Sequence, residues 1–463
     1  MFKKVLIANR GEIALRVIRA CKELGLSTVA VHSTADAESL HVRFADEAIC
    51  IGPAQSKDSY LNVRALLSAA DVTGADAIHP GYGFLSENAG FAEMVTKMGL
   101  KFIGPRPEMI RLMGNKVAAR EAMEKAGLPL LPGARGKLAD ADEAERIAEE
   151  VGYPIILKAA AGGGGRGMKI CRDRSQVRKL FETASSEALA AFGDGSMYLE
   201  RYVDEPRHIE LQMVADEHGN IIHLGERECS VQRRHQKMIE EAPSPAVTPE
   251  LRREMGEVAL QAMRKIAYNN VGTIEFLMDE NGRYYFMEMN TRIQVEHPVT
   301  EQVYRLDLVR EQIRLAAGER LDRTQESVVP GAHSIEFRVN AEDPVTFAPS
   351  PGKITAYHQP GGYGVRVDTM AYEQYKVQPF YDSLVAKLVI TGATREIAMK
   401  RAQRALNEYV IEGIKTNIPF HKRVLADARF IAGKYDTRIV DQILNPPAPA
   451  EAPRAPGAVK VAG

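Results

Sequence analysis

The segment VGTIEFLMDENGRYYFMEMN, residues 271–290, predicts an antiparallel β-hairpin. Two apolar, strand-like runs flank Asn281-Gly282, and this dipeptide is the strongest short signal for a hairpin turn. A two-residue loop at this point pairs Glu280 with Arg283 and fixes the register of the hairpin. Similar runs joined by Gly/Asn turns begin at about residue 204, so we expect an antiparallel sheet in this half of the chain.

The predicted register places Glu275 directly opposite Glu288, with Asn290 on the same face. Like charges whose Cβ atoms lie about 5 Å apart destabilise a strand pair unless a cation compensates them. The same alternation assigns the apolar neighbours to faces: Leu277 and Phe286 to the glutamate face, Met287 and Met289 to the other. Apolar neighbours argue against the alternative of a solvated strand face. The hairpin therefore predicts a site for a hard divalent cation such as Mg²⁺.

The N-terminal part of the chain predicts alternating strands and helices. KVLIA, STVAVHS, DEAICIG and ADAIHPGYG are strand-like, and a helical pattern follows the first of them. This order indicates a parallel sheet that binds ligands at the carboxyl ends of its strands. HPGYGFLSEN, residues 79–88, is therefore expected at the ligand-binding edge of this sheet. A plain connecting loop is the alternative for this segment. A second unit, with a strand on each side of a glycine run, is expected from about residue 151 to 203.

The glycine run KAAAGGGGRGMKI contains GxGxxG at Gly162, Gly164 and Gly167. A dinucleotide-binding fingerprint requires a helix after the glycines, but MKIC is strand-like, so we expect a hairpin loop instead. The sequence also contains no GxxxxGK[ST] phosphate-binding loop. Backbone amides without side chains can close over phosphates, and Lys158 on the preceding strand suits a phosphate oxygen. A flexible surface turn is the alternative.

The composition is typical of a soluble protein with several domains. The chain has 463 residues, 45% of them apolar and 26% charged, with a net charge of -1. A balanced charge gives no overall attraction to nucleic acid or anionic membranes. No apolar run approaches the ~20 residues of a membrane span, and the start does not resemble a signal peptide. We expect a cytoplasmic protein with reduced cysteines.

Two further segments are read from their local composition. The one dense basic run, RRHQK at residues 233–237, precedes two glutamates, and by itself it indicates a solvated face. The end of the chain, residues 446–463, is rich in Pro and Ala and predicts a disordered tail.

A lysine beneath a glycine loop, with a Glu…Glu-x-Asn hairpin downstream, resembles the ATP-grasp superfamily. ANRGEIALR, HPGYGFLSEN, RRHQK and EMNTRIQVEHPVTE together resemble the biotin carboxylase family, from Lys4 to about residue 445. The resemblance implies an α/β and α+β fold with a parallel-sheet preATP-grasp domain, an ATP-grasp lid and a mostly antiparallel C-terminal domain. The implied boundaries are 1–115 for the N-terminal domain, 116–203 for the linker and lid, 204–330 for the catalytic and metal-binding part, 331–445 for the C-terminal domain and 446–463 for the tail.

The resemblance implies a ligase that uses ATP and two Mg²⁺ or Mn²⁺ ions to carboxylate biotin with bicarbonate through carboxyphosphate. The nucleotide contacts implied by the family motifs are Lys116, Lys158, Gly164, Gly165, Glu200, Arg201, Tyr202, Val203, His208 and His235. The implied metal ligands are Glu275, Glu288 and Asn290. The implied bicarbonate contacts are Lys237, Arg292, Gln294 and Val295. Glu296 matches the general base, Arg338 the residue that stabilises the biotin enolate, and Tyr82 a residue on the biotin side.

The resemblance also implies protein partners. The residues that match homodimer contacts are Arg16, Arg19, Glu23 and Arg366, although a solvated helix face is the alternative for the first three. Biotin is usually attached within an AMKM-type turn, but the near match AMKR, residues 398–401, lies in a helical pattern. We therefore expect biotin on a separate biotin carboxyl carrier protein, together with carboxyltransferase subunits.

Other functions stay open at this stage. One is a different ATP-grasp ligase that joins a carboxylic acid to an amine, and another is a non-catalytic nucleotide sensor. Acetyl-CoA carboxylase is favoured as the complete enzyme, with pyruvate and propionyl-CoA carboxylases as alternatives, because the acceptor is chosen by another subunit.

Overall fold

The computed structural model describes residues 2–134, 136–160 and 167–446. The predicted phosphate contacts Gly164 and Gly165 lie outside the described residues, as does the predicted tail beyond residue 446.

A five-stranded parallel sheet forms the N-terminal unit, in the strand order β3-β2-β1-β4-β5. This confirms the α/β expectation. The elements are β1 Lys4–Ile7, α1 Gly11–Glu23, β2 Ser27–Ser33, α2 Leu40–Phe44, β3 Glu47–Gly52, α3 Val63–Thr73, β4 Ala77–His79, α4 Ala89–Lys97, β5 Lys101–Phe102 and α5 Pro107–Gly114, with 3₁₀ turns at Thr34–Asp36 and Ser56–Asp58.

A smaller unit with three antiparallel strands follows, in the order β7-β6-β8. Its elements are α6 Lys116–Ala126, α7 Ala141–Val151, β6 Ile155–Ala159, β7 Met168–Cys171, α8 Arg174–Phe192 and β8 Met197–Arg201. A strand, and not a helix, follows the glycine run, and it pairs with the strand before the run. The predicted hairpin is confirmed, which excludes the dinucleotide fingerprint.

The rest of the described chain contains an eight-stranded antiparallel sheet, in the order β13-β12-β9-β10-β11-β14-β19-β17. The elements from residue 207 to 327 are β9 Arg207–Ala215, β10 Ile221–Arg233, β11 Gln236–Ala242, α9 Pro249–Lys265, β12 Asn270–Met278, β13 Tyr284–Asn290, α10 His297–Tyr304, α11 Leu308–Ala316 and a 3₁₀ turn at Gln325–Ser327. The elements from residue 333 to 444 are β14 His333–Asn340, β15 Gly352–Lys353, β16 Ala356–His358, β17 Val365–Thr369, β18 Lys376–Val377, β19 Leu384–Gly392, α12 Arg395–Glu408, β20 Val410–Glu412, α13 Ile418–Ala426, α14 Ala428–Ile431 and α15 Ile439–Leu444. Two separate two-stranded sheets pair β15 with β18 and β16 with β20.

The β12–β13 hairpin contains the predicted pair of opposed glutamates, but its turn and its register near the turn differ from the prediction. Glu275 lies opposite Glu288, but the turn is a three-residue loop closed by Asp279 and Arg283, and not the predicted two-residue loop. This change shifts the pairing by one residue near the turn. A bulge at Met287 shifts it back before the glutamates are reached.

The bulge also changes which apolar side chains face the glutamates. Phe286 pairs with Phe276 and lies in the core beneath the sheet, contrary to the prediction. Met287 instead lines the cleft beside Leu277. The predicted alternation was therefore wrong for Phe286 and Met287, because the extra residue of a bulge reverses the alternation on one side of it.

One hydrophobic core joins the N-terminal sheet to the large sheet. Ile13 and Val17 of α1 pack in the same buried cluster as Val299 of α10, Ile313 of α11 and Val389 of β19. Each such side chain contributes about 1.5–3 kcal/mol when fully buried. The cluster holds the loop after β1 against the large sheet, which sets the geometry of the cleft between them. No helix within the described ranges is long and apolar enough to span a membrane.

Two residues expected at a dimer contact are engaged within the chain. Arg16 donates to Glu301 at 2.9 Å, and Arg366 donates to the other oxygen of Glu301 at 2.7 Å. Arg16 is buried, whereas Arg19 and Glu23 are exposed on α1. Arg16 and Arg366 thus link α1 and β17 to α10 through one buried carboxylate.

This carboxylate makes stability depend on pH. Burial alone would raise the pKa of Glu301, but Arg16, His297 and Arg366 outweigh burial and lower it from 4.5 to about 2. A lowered pKa contributes stability above pH 4.5 that is lost as the pH falls towards 2, on the order of 3 kcal/mol. We expect Glu301→Gln to lower the free energy of unfolding at pH 6 and to flatten its decline below pH 4.5.

Denaturant unfolding at several pH values measures this effect. The exposed Glu257, replaced by Gln, serves as the control and should keep the wild-type decline. A Glu301→Gln curve parallel to that of the wild type would contradict the linkage.

Candidate active site

A cleft of about 1210 Å³ lies between the N-terminal sheet, the small three-stranded unit and the large sheet. All the described residues that the sequence predicts for the site line it. They are Tyr82, Lys116, Lys158, Glu200, Arg201, Tyr202, Val203, His208, His235, Lys237, Glu275, Glu288, Asn290, Arg292, Gln294, Val295, Glu296 and Arg338. The structure therefore brings the predicted set together from chain segments up to 256 residues apart, from Tyr82 to Arg338.

The opposed glutamates have the electrostatics of a cation site. Burial raises the pKa of Glu288, and the charge of Glu275 raises it further against the opposing effect of Lys116. His208 Nε2 lies 2.9 Å from Glu275 Oε2. A divalent cation between the carboxylates would remove their repulsion, so this donor set fits Mg²⁺ or Mn²⁺. The amide oxygen of Asn290 accepts from Arg292 Nη2 at 2.7 Å, and its second lone pair can bind a cation.

A third glutamate extends this acidic row and was missed from the sequence. Glu210 on β9 lies opposite Glu275 and also pairs with Arg227 on β10. The signal was available, because His208, Glu210 and Gln212 alternate with the apolar residues of β9 and therefore share one face of the strand. Glu210 and Glu275 also hold ligand atoms close to those of His208, an arrangement that a metal ion could bind.

Arg227 is fully buried and organises the floor of the cleft. Its guanidinium donates to Glu210, to Gln212 Oε1 at 2.7 Å and to Gln294 Oε1 at 2.7 Å. Gln294 in turn donates to Glu275 Oε1 at 2.8 Å. The amide orientation of Gln294 is thereby fixed on both sides, which prepares a predicted bicarbonate contact.

Lys237 connects three carboxylates at the centre of the cleft. Its ammonium lies 2.5 Å from Glu210 Oε2, 3.0 Å from Glu275 Oε1 and 2.6 Å from Glu296 Oε1. The local interpretation of the basic run as a solvated face is therefore wrong for Lys237, which is 12% exposed. Three acidic partners from three other segments stabilise the ammonium in this buried position.

The position of Lys237 depends on a tight turn. Arg234 and His235 connect β10 to β11 as a two-residue loop, with φ of 50° and 65°. Positive φ at both central residues is the geometry of a two-residue type I′ hairpin turn, and it is less favourable for non-glycine residues than for glycine. The turn directs His235 into the cleft beside Lys237.

Glu296 is held as a carboxylate by two cations. Its Oε1 accepts from Lys237, and its Oε2 accepts from Arg338 Nη2 at 2.9 Å. Burial alone would raise the pKa of Glu296, but Lys237, Arg338 and Arg227 outweigh burial and lower it well below its ordinary value. The ionised state expected from the sequence follows from these contacts.

Arg292 lies at the rim of the acidic row. It donates through Nε to Glu87 at 2.8 Å and through Nη2 to Asn290. Glu87 belongs to HPGYGFLSEN but was not predicted as a site residue, because its partner lies 205 positions away. Glu87 thus holds the guanidinium whose fork suits a planar oxyanion.

The loop that carries Tyr82 is fixed by Asn9. Asn9 Nδ2 donates to the carbonyl oxygens of Pro80 and Tyr82, both at 2.7 Å. Gly81 has φ of 62°, and a Cβ there would lie 2.8 Å from Asn9 Nδ2, so the loop requires glycine. These contacts place HPGYG at the carboxyl edge of the parallel sheet, as the strand pattern predicts.

The end of the cleft that is lined by the predicted nucleotide contacts contains a buried ion cluster. Glu200 accepts from Lys158 and, at 2.6 Å, from Arg120. The amides of Arg201 and Tyr202 donate to the carbonyl oxygens of Pro132 and Pro154, at 2.8 and 2.9 Å, and are therefore engaged within the chain. The predicted phosphate contact Lys116 begins α6 after the N-cap of Asn115.

Comparisons with known proteins match nearly the whole length of this chain. Family profiles described as "Biotin carboxylase, N-terminal domain", "Carbamoyl-phosphate synthase L chain, ATP binding domain" and "Biotin carboxylase C-terminal domain" match residues 1–110, 115–324 and 336–442. Biotin carboxylase of Haemophilus influenzae is 56% identical over 434 residues, 94% of this chain and 97% of that protein.

Two solved structures share the fold over nearly the whole chain. A biotin carboxylase in complex with an ATP analogue from Campylobacter jejuni has a TM-score of 0.93 and 48% identity, covering 96% of this chain and 99% of that one. The biotin carboxylase domain dimer of Hydrogenobacter thermophilus 2-oxoglutarate carboxylase, in complex with MgADP, ADP and bicarbonate, has a TM-score of 0.92 and 50% identity with the same coverage.

Proposed function

The chain belongs to the biotin carboxylase family, and on that premise we propose that it carboxylates biotin with bicarbonate and ATP in the cleft described above. It is a ligase that requires Mg²⁺ or Mn²⁺. The observation that carries the proposal is the buried Glu296, held between Lys237 and Arg338 beside the opposed pair Glu275 and Glu288. A base, an anion site and a cation site thus meet in one cleft.

The first step is the activation of bicarbonate. Arg292, Lys237, Gln294 and the amide of Val295 bind the anion. Glu296 accepts its proton, which makes an oxygen of the anion a better nucleophile. This oxygen attacks the γ-phosphorus of ATP, the bond to the bridging oxygen breaks, and ADP leaves with carboxyphosphate formed.

Substrate binding must also adjust the base, because the low pKa of Glu296 makes it a weak proton acceptor in the substrate-free site. Lys237 contacts Glu296 at 2.6 Å and is also a proposed ligand of bicarbonate. An anion that attracts this ammonium weakens its hold on Glu296 and raises the pKa of the base. Bicarbonate thereby prepares the group that deprotonates it.

The remaining groups of the cleft serve the nucleotide. Glu275, Glu288 and Asn290 would hold the metal, which supplies charge stabilisation on the transferring phosphoryl group. Lys116 and Lys158 bind phosphate oxygens. Lys158 contacts Glu200 with one of its three N–H donors, so donors remain for a phosphate oxygen. The other proposed nucleotide contacts are Gly164, Gly165, Glu200, Arg201, Tyr202, Val203, His208 and His235.

The second step transfers CO₂ to biotin. Carboxyphosphate breaks down to CO₂ and phosphate, and the phosphate deprotonates the ureido nitrogen, as the family resemblance implies. Arg338 stabilises the resulting enolate, and Tyr82 lines the biotin side. The guanidinium of Arg338 lies in the cleft between Glu240 and Glu296, at 2.7 and 2.9 Å, where it can reach a second substrate.

Bicarbonate-dependent ATP cleavage with free biotin is the direct test. We expect phosphate release that requires bicarbonate and Mg²⁺ and increases with biotin, with carboxybiotin as product. Cleavage that depends on another carboxylic acid and an amine would instead identify a carboxylate–amine ligase.

Biotin attached to a separate carrier protein is the proposed physiological substrate. Lys400, in the near match AMKR, lies in the middle of α12 and pairs with Glu396 at 2.8 Å, so it is not in the exposed turn that a biotin ligase recognises. We expect no covalent biotin on the purified chain after co-expression with a biotin ligase. Intact-mass measurement tests this, and a mass increase equal to one biotin would refute it.

The proposed assembly contains a carrier protein, carboxyltransferase subunits and a second copy of this chain. For the proposed dimer, Arg19 and Glu23 are exposed on α1 and can contact the second copy. Arg16 and Arg366 bind Glu301 within the chain and thereby hold α1 in position. Acetyl-CoA is the favoured final acceptor, with pyruvate and propionyl-CoA as alternatives. The domain boundaries given above are part of the proposal. The large sheet contains strands from both sides of the boundary between residues 330 and 331.

A further inference from the structure

We propose that Lys387 and Glu12 are positioning residues that couple the bicarbonate end of the cleft to its biotin end. The inference rests on the proposed function and extends it to two residues that are not among the proposed substrate contacts.

Lys387 is a fully buried lysine in the middle of β19. Its ammonium donates to the carbonyl oxygen of Val295 at 3.0 Å and lies 3.2 Å from Glu12 Oε1. Burial of an ammonium is costly unless it is paired and hydrogen-bonded, so these two contacts define its position. The Val295 carbonyl belongs to the peptide that joins Val295 to Glu296. Lys387 therefore fixes the backbone that carries both a bicarbonate contact and the base.

Glu12 makes the second half of the connection. It lies in the first turn of α1 and is 4% exposed. The oxygen that faces Lys387 also accepts the hydrogen bond of the Tyr82 hydroxyl. Its other oxygen is buried and has no hydrogen-bond partner within the described chain. Tyr82 is thus held by the same carboxylate that neutralises Lys387.

The contacts form one short path from Val295, through Lys387 and Glu12, to Tyr82. Val295 and Tyr82 both line the cleft, and they lie in loops that follow strands of different sheets. Groups held by one buried ion pair shift together, so a substrate that orders one end also prepares the other. Such coupling suits a reaction in which carboxyphosphate must not form before biotin is in place.

A purely structural role is the competing explanation, since the ion pair also joins α1 to the large sheet. The double variant Lys387→Met/Glu12→Gln separates the two roles. It removes both charges together and so leaves no unpaired buried ion, while the bond to the Val295 carbonyl is lost. The control is Arg252→Met/Glu226→Gln, which removes a buried ion pair with a 2.6 Å contact outside the cleft.

The measurement is the KM for biotin at low and saturating bicarbonate, with MgATP saturating. For the wild type we expect the two values to differ by about fivefold or more. For Lys387→Met/Glu12→Gln we expect the ratio of the two biotin KM values to be near one. We also expect its KM for bicarbonate to rise about tenfold or more and its KM for MgATP to stay unchanged. The control variant should keep the wild-type ratio even if its thermal stability falls.

Three outcomes contradict the inference: a wild-type ratio near one, a Lys387→Met/Glu12→Gln variant that keeps the wild-type ratio and bicarbonate KM, or equal losses in the control variant. Failure of the proposed function is distinct, because the wild type itself would then show no bicarbonate-dependent ATP cleavage with biotin. If the double variant does not fold, Lys387→Gln, which retains a donor for the Val295 carbonyl, is measured in its place and should show a smaller reduction of the ratio. An unchanged ratio in Lys387→Gln would also count against the inference.

Discussion

Replacement of Glu288 by lysine is expected to abolish turnover, with a loss of more than about 1000-fold in bicarbonate-dependent ATP cleavage. The substitution places an ammonium opposite Glu275, where the cation is proposed to bind. The substitution removes the repulsion between the two carboxylates, so the chain should fold with near-native stability. The charge that the cation would bring to the phosphates is then lost.

Glu280→Lys is the matched control. It makes the same change of charge on the same hairpin, but Glu280 is exposed in the turn. Phosphate release at several Mg²⁺ concentrations should be unchanged in this control. Wild-type Mg²⁺-dependent activity in Glu288→Lys would show that the opposed pair does not bind the metal.

The second large effect distinguishes the two arginines of the cleft. We expect Arg292→Ala to depress bicarbonate-dependent ATP cleavage and biotin carboxylation together, because this guanidinium binds bicarbonate before any bond changes. We expect Arg338→Ala to lose biotin carboxylation by about 30- to 1000-fold while it retains much of the ATP cleavage. The structure supports this separation, since the 2.6 Å contact between Glu296 and Lys237 does not involve Arg338 and is expected to persist in the variant.

Phosphate release and carboxybiotin formation are measured on both variants. Arg395→Ala is the control, because Arg395 pairs with the buried Glu241, next to Glu240 on β11, but does not line the cleft. It should reduce stability and leave the ratio of the two activities unchanged. Equal losses of both activities in Arg338→Ala would assign this residue to the first step and remove its role at the enolate.

Local sequence predicted those secondary-structure elements whose formation depends on interactions between residues close together in the chain. The hairpin of residues 271–290, the strand after the glycine run and the helix that contains Lys400 follow from side-chain periodicity and turn residues. The opposition of Glu275 and Glu288 was also predicted, although a three-residue loop and a bulge at Met287 had to offset each other. Neither feature has a distinct signature in this sequence.

The motifs that resemble the biotin carboxylase family extended the prediction to residues that periodicity cannot assign. His208 and His235 are examples, since a histidine in a strand or a turn carries no signal of its own. The structure places both in the cleft. Glu87, Glu210 and Arg227 were not predicted, because their importance lies in partners that the motifs do not name.

The sequence by itself determined the strands, the opposed glutamates and the family motifs of this protein. Only the tertiary structure decided the state of its charges. Lys237 lies in a basic run that reads as a solvated face, yet its ammonium is buried among Glu210, Glu275 and Glu296, which are 27, 38 and 59 positions away. The physical reason is that the environment of a charge is set by the side chains packed around it, and those come from strands that are distant in sequence and adjacent only in the folded sheet.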